Sequence, residues 1–187
     1  LKMKKTKLLD CTLRDGGYYN NWDFPKNLVN EYLATMSKVG IDYVEIGFRS
    51  FQSKDFKGST WYTTESYLES LTIPQNITPG VMVNVFELIT HRLGYLKAIK
   101  LMFKHVKKSR VKFIRLACHF EEFSDTIKIC KVLKNMGYIV TINLMQISEQ
   151  SEEKIISATK QAQKIGPDVL YFADSLGGMD PFQISNL

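Results

Sequence analysis

The chain is poor in cysteine. Its three, Cys11, Cys118 and Cys130, are odd in number and show no CxxC spacing. That excludes a disulfide framework and a cysteine-built zinc site, and predicts reduced thiols in the core. No apolar run approaches the roughly 20 residues of a membrane span. Residues 1–9 are basic but pass straight into a strand pattern, without the apolar segment of a secretory signal, so the chain reads as cytoplasmic with no membrane partner. No GxGxxG or P-loop follows the first strand, which argues against a doubly wound nucleotide-binding sheet. No linker, repeat or low-complexity stretch divides the sequence, so residues 1–187 read as a single domain. The formal net charge of +6 comes largely from Lys2, Lys4, Lys5, Lys7 and the stretch 97–112. No recognisable nucleic-acid-binding module accompanies it, and the interleaved Leu96, Ile99, Leu101, Phe103 and Val106 make the stretch an amphipathic helix rather than a nucleic-acid surface.

What is present is the composition of a globular enzyme, 44% apolar and 24% charged. Strands are expected at 7–13, 43–48, 80–85, 111–118, 138–145 and 169–172. Between them the reading predicts a helix at 25–39, with Leu28, Tyr32, Met36 and Val39 inward, then the basic helix, and helices at 124–136 and 151–165. A further helix opens at Asp180-Pro181, an N-cap and first-turn proline. Residues 49–61 form a long rim loop. Strand and helix alternate, and strands such as 43–48 and 138–142 are apolar on both faces, which requires a parallel sheet covered on both sides. The fold class is therefore α/β, a (β/α)8 TIM barrel of which about six of eight βα units are present, since a complete barrel takes about 250 residues. An arc of six strands leaves its edges open, so the chain is expected to be part of a longer polypeptide or a homo-oligomer that covers them.

The chemistry concentrates where the first strand meets glycines, at Asp10-Cys11-Thr12-Leu13-Arg14-Asp15-Gly16-Gly17. Arg14 offers a planar cationic fork for a carboxylate or a developing enolate oxygen, and Asp15 offers oxygen to a hard divalent cation. The same pair also reads as a structural ion pair at a strand end. Glu45 sits within an apolar strand, where a carboxylate needs a partner merely to be tolerated. Near the ends of later strands His119, Asn143, Gln146 and Asp174 are candidate substrate contacts or loop caps.

Residues 10–16, followed by Val44-Glu45-Ile46-Gly47-Phe48, resemble the metal-dependent aldolase, lyase and acyl-condensing family with an Asp-Arg-Glu signature. That family is typified by hydroxymethylglutaryl-CoA lyase, homocitrate synthase and 4-hydroxy-2-oxovalerate aldolase. The likeness continues through Ile114-Arg115-Leu116-Ala117-Cys118-His119 and Ala173-Asp174-Ser175-Leu176-Gly177. The resemblance implies a carbon–carbon lyase or aldolase acting on a 2-oxo acid or related acyl substrate through an enolate, with Mn²⁺ or Mg²⁺ as cofactor. Asp15 is then the metal ligand, Arg14 stabilises the enolate, and Glu45 orients Arg14 or a metal-bound water. Substrate contacts fall to His119, Asn143 and Asp174. Two departures stand out. The family's His-x-His ligand pair has no match among His91, His105 and His119, so the metal is not expected to be fully held here. Tyr18 stands where the 4-hydroxy-2-oxovalerate aldolases carry a histidine; with a phenol's reference pKa near 10 against about 6.5 for imidazole, it suits hydrogen-bond donation to an alkoxide better than proton abstraction. An inert or regulatory barrel binding a small acid, and an acyl-CoA condensing synthase, remain as alternatives. Arg14, Asp15, Glu45, His119 and Asp174 are expected to converge at the C-terminal ends of the strands.

Overall fold

The structure is a computed structural model and describes residues 6–187; Lys2, Lys4 and Lys5 of the basic stretch lie outside the described residues. Six strands, β1 (Leu9–Asp10), β2 (Tyr43–Phe48), β3 (Thr78–Asn84), β4 (Phe113–Cys118), β5 (Ile139–Met145) and β6 (Val169–Ala173), pair in chain order. Every pairing is parallel. Alternate strand residues, among them Val44, Ile46, Val81, Val83, Ile114, Leu116, Val140 and Ile142, are buried in one core with the helices. The residues between them in sequence occupy the opposite face. That face carries Glu45, Met82, Arg115 and Asn143, so the sheet is an arc with an apolar outer layer and a partly polar inner one.

The helices include α2 (Lys26–Lys38), α7 (Phe123–Asn135), α8 (Glu152–Ile165) and α9 (Pro181–Asn186), close to the expected positions. Short helices α1 (Thr12–Gly16), α3 (Ser59–Tyr62), α4 (Glu65–Ser70) and α5 (Val85–Ile89) are additions to the expected elements, and α6 (Tyr95–Met102) is the first part of the expected basic helix. The buried face of α2 also differs from the expected one. Val29 and Leu33, one turn apart, are buried, whereas Leu28 and Val39 are 47% and 62% exposed. Tyr32 and Met36 pack at the margin of the core.

The stretch 97–112 is not one helix. α6 ends where Phe103 turns into the core, and residues 106–108 form a separate 3-10 turn. Two long-range bonds hold the break: Val106 N–H donates to the Met136 carbonyl at 3.0 Å, and Tyr138 Oη donates to the Lys104 carbonyl at 2.5 Å. The strand expected at 7–13 is also corrected, because pairing stops at Asp10 and the chain coils at once into α1. The three cysteines are free; Cys118 and Cys130 are buried, and burial pushes their thiols up to about 12 and about 11. Among the described residues no helix is long and apolar enough to cross a membrane.

Candidate active site

Asp10 converts the end of β1 into a helical turn. Its carboxylate accepts from Thr12 N–H at 3.0 Å and Thr12 Oγ1 at 2.9 Å, and Tyr32 Oη of α2 bonds it from the other side. This side-chain mimic of a turn diverts the backbone from the ladder. Arg14 and Asp15 therefore stand in α1, above the strand ends. From behind, Trp22 Nε1 donates to the Arg14 carbonyl at 2.8 Å. The indole reaches that carbonyl because Asn21 and Trp22 both adopt left-handed conformations, with φ of 57° and 59°, and because Gly17 leaves room: a Cβ there would lie 2.0 Å from Trp22 Cδ1. The rim segment holds Trp22 in turn, through Gly58 N–H to the Asn21 carbonyl at 2.8 Å and Thr60 Oγ1 to the Trp22 carbonyl at 2.8 Å.

Arg14 extends over the inner face to the fully buried Glu45, and its Nε donates to Oε1 at 2.7 Å. Its Nη1 bonds Asp15 Oδ1. Among the described residues Arg14 Nη2 makes no hydrogen bond. Burial alone would lower the arginine's pKa, but Glu45 by charge and hydrogen bond, and Asp15 by charge, overcome it and hold the guanidinium's pKa raised. The Asp15 side chain is 61% exposed, so its second oxygen faces the open rim. That rim is a depression of about 630 Å³ lined by Cys11, Thr12, Asp15, Gly16, Tyr18 and Tyr19.

A second arginine completes the cluster. Arg115 on β4 places Nη1 3.6 Å from Glu45 Oε2 and 3.0 Å from Cys11 Sγ, and its Nη2 donates to Asn143 Oδ1 at 2.8 Å. Its guanidinium carbon lies 5.0 Å from the Tyr171 ring centroid. Burial is the main cause that pushes the Cys11 thiol up to about 11, reinforced by Glu45 and opposed by the two arginines, so the thiol stays protonated at neutral pH. Arg115 carries a signal that the sequence reading applied only to Glu45. A charge inside the apolar run Phe113-Ile114-Arg115-Leu116-Ala117 needs a buried partner, and a carboxylate two strands away supplies one.

The remaining candidates divide. Asn143 is in the cluster through Arg115. Tyr18, 66% exposed, stands edge-on to Trp22 with centroids 4.8 Å apart, at the same rim as Asp15. His119 makes no bond to the cluster among the described residues. Its backbone carbonyl accepts the Glu122 N–H at 3.2 Å, and Glu122 Oε2 accepts the His119 N–H at 3.0 Å, which closes the turn that leads into α7. Asp174 Oδ2 accepts Met179 N–H at 2.8 Å, and the backbone donors of this loop hold its carboxyl below the ordinary value. Gln146 lies in a left-handed turn, its N–H donating to Ser175 Oγ at 3.3 Å. The cluster thus joins Arg14, Asp15, Glu45, Arg115 and Asn143, with His119 and Asp174 in turns of their own.

Comparisons with known proteins bear on the sequence and the fold. No family model matches the chain. A 4-hydroxy-2-oxovalerate aldolase of Pelotomaculum thermopropionicum is 26% identical over 188 residues, covering 99% of this chain and 52% of its own. The crystal structure of the N-terminal domain of a presumptive aldolase from Bacteroides vulgatus superposes with a TM-score of 0.77 at 33% identity, over 97% of this chain and 58% of that one. The HMG-CoA lyase of Bacillus subtilis shares the fold, with a TM-score of 0.69 at 14% identity over 98% of this chain and 62% of its own. The chain spans about half the length of the curated relatives it matches. In signature residues, fold and relatives the chain is similar to proteins of the metal-dependent aldolase/lyase type.

Proposed function

We propose that the protein is a divalent-metal-dependent carbon–carbon lyase or aldolase acting on a 2-oxo acid or related acyl substrate, built on a (β/α)8 barrel of which residues 1–187 form one incomplete domain. The observation that carries this reading is the arrangement of Arg14, clamped by a buried carboxylate on one side and by an exposed aspartate on the other, with one guanidinium nitrogen, Nη2, left without a hydrogen bond among the described residues. A solitary structural ion pair needs no such remainder.

Among the described residues no group of three or more histidine, cysteine, aspartate or glutamate side chains could hold a metal ion. Asp15 supplies one carboxylate, and one of its oxygens is already engaged by Arg14. The residues present do not by themselves compose the family's metal centre. What they do compose is an oxyanion site. Arg14 Nη2 is a fixed donor, its charge secured by Glu45, for the oxygen that becomes negative when a 2-oxo acid enolises. Tyr18, exposed in the same depression as Asp15, is assigned hydrogen-bond donation to an alkoxide.

Proton exchange at C3 of pyruvate in deuterated buffer, followed by NMR on the full polypeptide with added Mn²⁺ or Mg²⁺, tests the reading without knowledge of the second substrate. Exchange is expected in the wild type, reduced on the order of 10² to 10³-fold in Arg14→Ala, as is usual for loss of a preorganised donor. Arg14→Lys keeps the charge, loses the fork and falls between. An absence of exchange with pyruvate and other 2-oxo acids, with metal bound, overturns the reading in favour of a binding barrel or an acyl-CoA substrate.

A further inference from the structure

We infer that Arg115 is a positioning residue for Arg14, acting through Glu45: it occupies one carboxylate oxygen so that Arg14 engages only the other. The inference rests on the reading of Arg14 as the oxyanion donor, and adds a residue which that reading does not require.

Glu45 is fully buried with a cation on each side. Oε1 accepts from Arg14 Nε at 2.7 Å, while Oε2 faces Arg115 Nη1 at 3.6 Å and accepts no hydrogen bond. A carboxylate offered to a single arginine takes the side-on pairing, in which Nε and Nη2 donate in parallel to the two oxygens. Here only Nε is used. The charge of Arg115 draws Oε2 towards β4, out of line with Arg14 Nη2, and that nitrogen stays free of a hydrogen bond among the described residues. Arg115 can hold this station because its guanidinium is fixed independently of Glu45, by Cys11 Sγ beyond β1, by Asn143 Oδ1 on β5 and by the Tyr171 ring on β6. Four strands thus set the position of one side chain in α1.

Removing Arg115 frees Oε2, and Arg14 collapses into the side-on pair, donating Nη2 to Glu45 instead of the substrate. The structural arm of the test follows the Arg14 side-chain N–H signals by ¹⁵N NMR, assigned by comparison with Arg14→Lys. In Arg115→Gln the Arg14 Nη2 protons are expected to shift and to gain protection from solvent exchange. In Arg115→Lys, which retains the charge, they stay closer to wild type. The kinetic arm uses pyruvate C3 exchange. Arg115→Gln is expected to lower kcat about 10- to 100-fold, the usual loss for an outer partner that orients an active-site group, with KM changed far less. Arg115→Lys restores part of it. Glu45→Gln combined with Arg115→Gln should be no worse than Glu45→Gln alone, because the second residue acts only through the first.

Unchanged Arg14 signals in Arg115→Gln, or losses that multiply in the double variant, overturn the inference. Should Arg115→Gln fail to fold, Asn143→Ala frees one anchor of Arg115 without altering charge and is expected to shift the Arg14 signals in the same direction by less; no shift overturns it equally. If the wild type exchanges no 2-oxo acid, the lyase reading fails while the NMR arm still decides whether Arg115 sets the pose of Arg14.

Discussion

Charged side chains buried in this arc are paired in two separate clusters. Glu45 joins two arginines below the rim, whereas Glu65 joins Arg49 to the loop before β4. Glu65 Oε1 accepts from Arg49 Nη1 at 2.8 Å and Ser109 Oγ at 2.7 Å, and Oε2 accepts Arg110 N–H at 2.9 Å. Burial alone would raise its pKa, but these donors outweigh it and hold the carboxyl below its ordinary 4.5. A folded-state pKa below the unfolded one means stability that is fully present above about pH 4.5 and is lost as pH falls through the lower folded value. Glu65→Gln should therefore flatten the acid limb of a Tm-against-pH curve below pH 5 and lower Tm at neutral pH. An unchanged acid limb would show that other carboxylates govern acid unfolding.

At the scale of elements, regular periodicity was legible and interruptions were not. β2, β5, α7 and α8 lie close to where alternation and capping put them, because nothing local competes with the pattern. The sequence pattern extends the first strand to residue 13 because its apolar residues run on past Asp10. The competing signal was the Asp10 side chain, which satisfies Thr12 and makes a turn cheaper than another ladder step. The basic stretch reads as one helix because its pattern continues past Met102. Two distant bonds, Val106 N–H to the Met136 carbonyl and Tyr138 Oη to the Lys104 carbonyl, explain the break. Glu45 was recognised and Arg115 missed for a related reason: the pairing that justifies each spans two strands. α1 itself depends on its contact with Trp22. Gly17→Ala sets a methyl 2.0 Å from the indole and should displace it from the Arg14 carbonyl. Intrinsic tryptophan fluorescence should shift and C3 exchange should fall with far-UV circular dichroism unchanged, whereas an unaltered indole environment would show that the rim accommodates the methyl.

Across the whole molecule the two faces of the sheet have different tasks. The strand order and parallel sense followed from βα alternation, but the partition into an apolar outer layer and a polar inner band needed the registers that bring Glu45, Arg115 and Asn143 to one side. The inner face is floored beneath Arg115 by Phe113, whose ring crosses Gly80 so closely that a Cβ there would lie 2.1 Å from it, and which meets Tyr43 edge-on at 5.4 Å. The outer layer holds most of the fully buried apolar side chains, Leu133 of α7 among them. Leu133→Ala removes buried methyl groups far from the rim and is expected to cost about 2–5 kcal/mol. Chemical denaturation measures that loss, and C3 exchange per folded molecule at low temperature measures what the polar band retains. Because Leu133 packs in the outer core and α7 shares no hydrogen bond or ion pair with Arg14, Glu45 or Arg115 among the described residues, stability should fall while the exchange rate per folded molecule stays within about twofold, since sites without shared partners behave independently. A parallel loss of exchange in fully folded protein would show that the helical layer sets the geometry of the inner band.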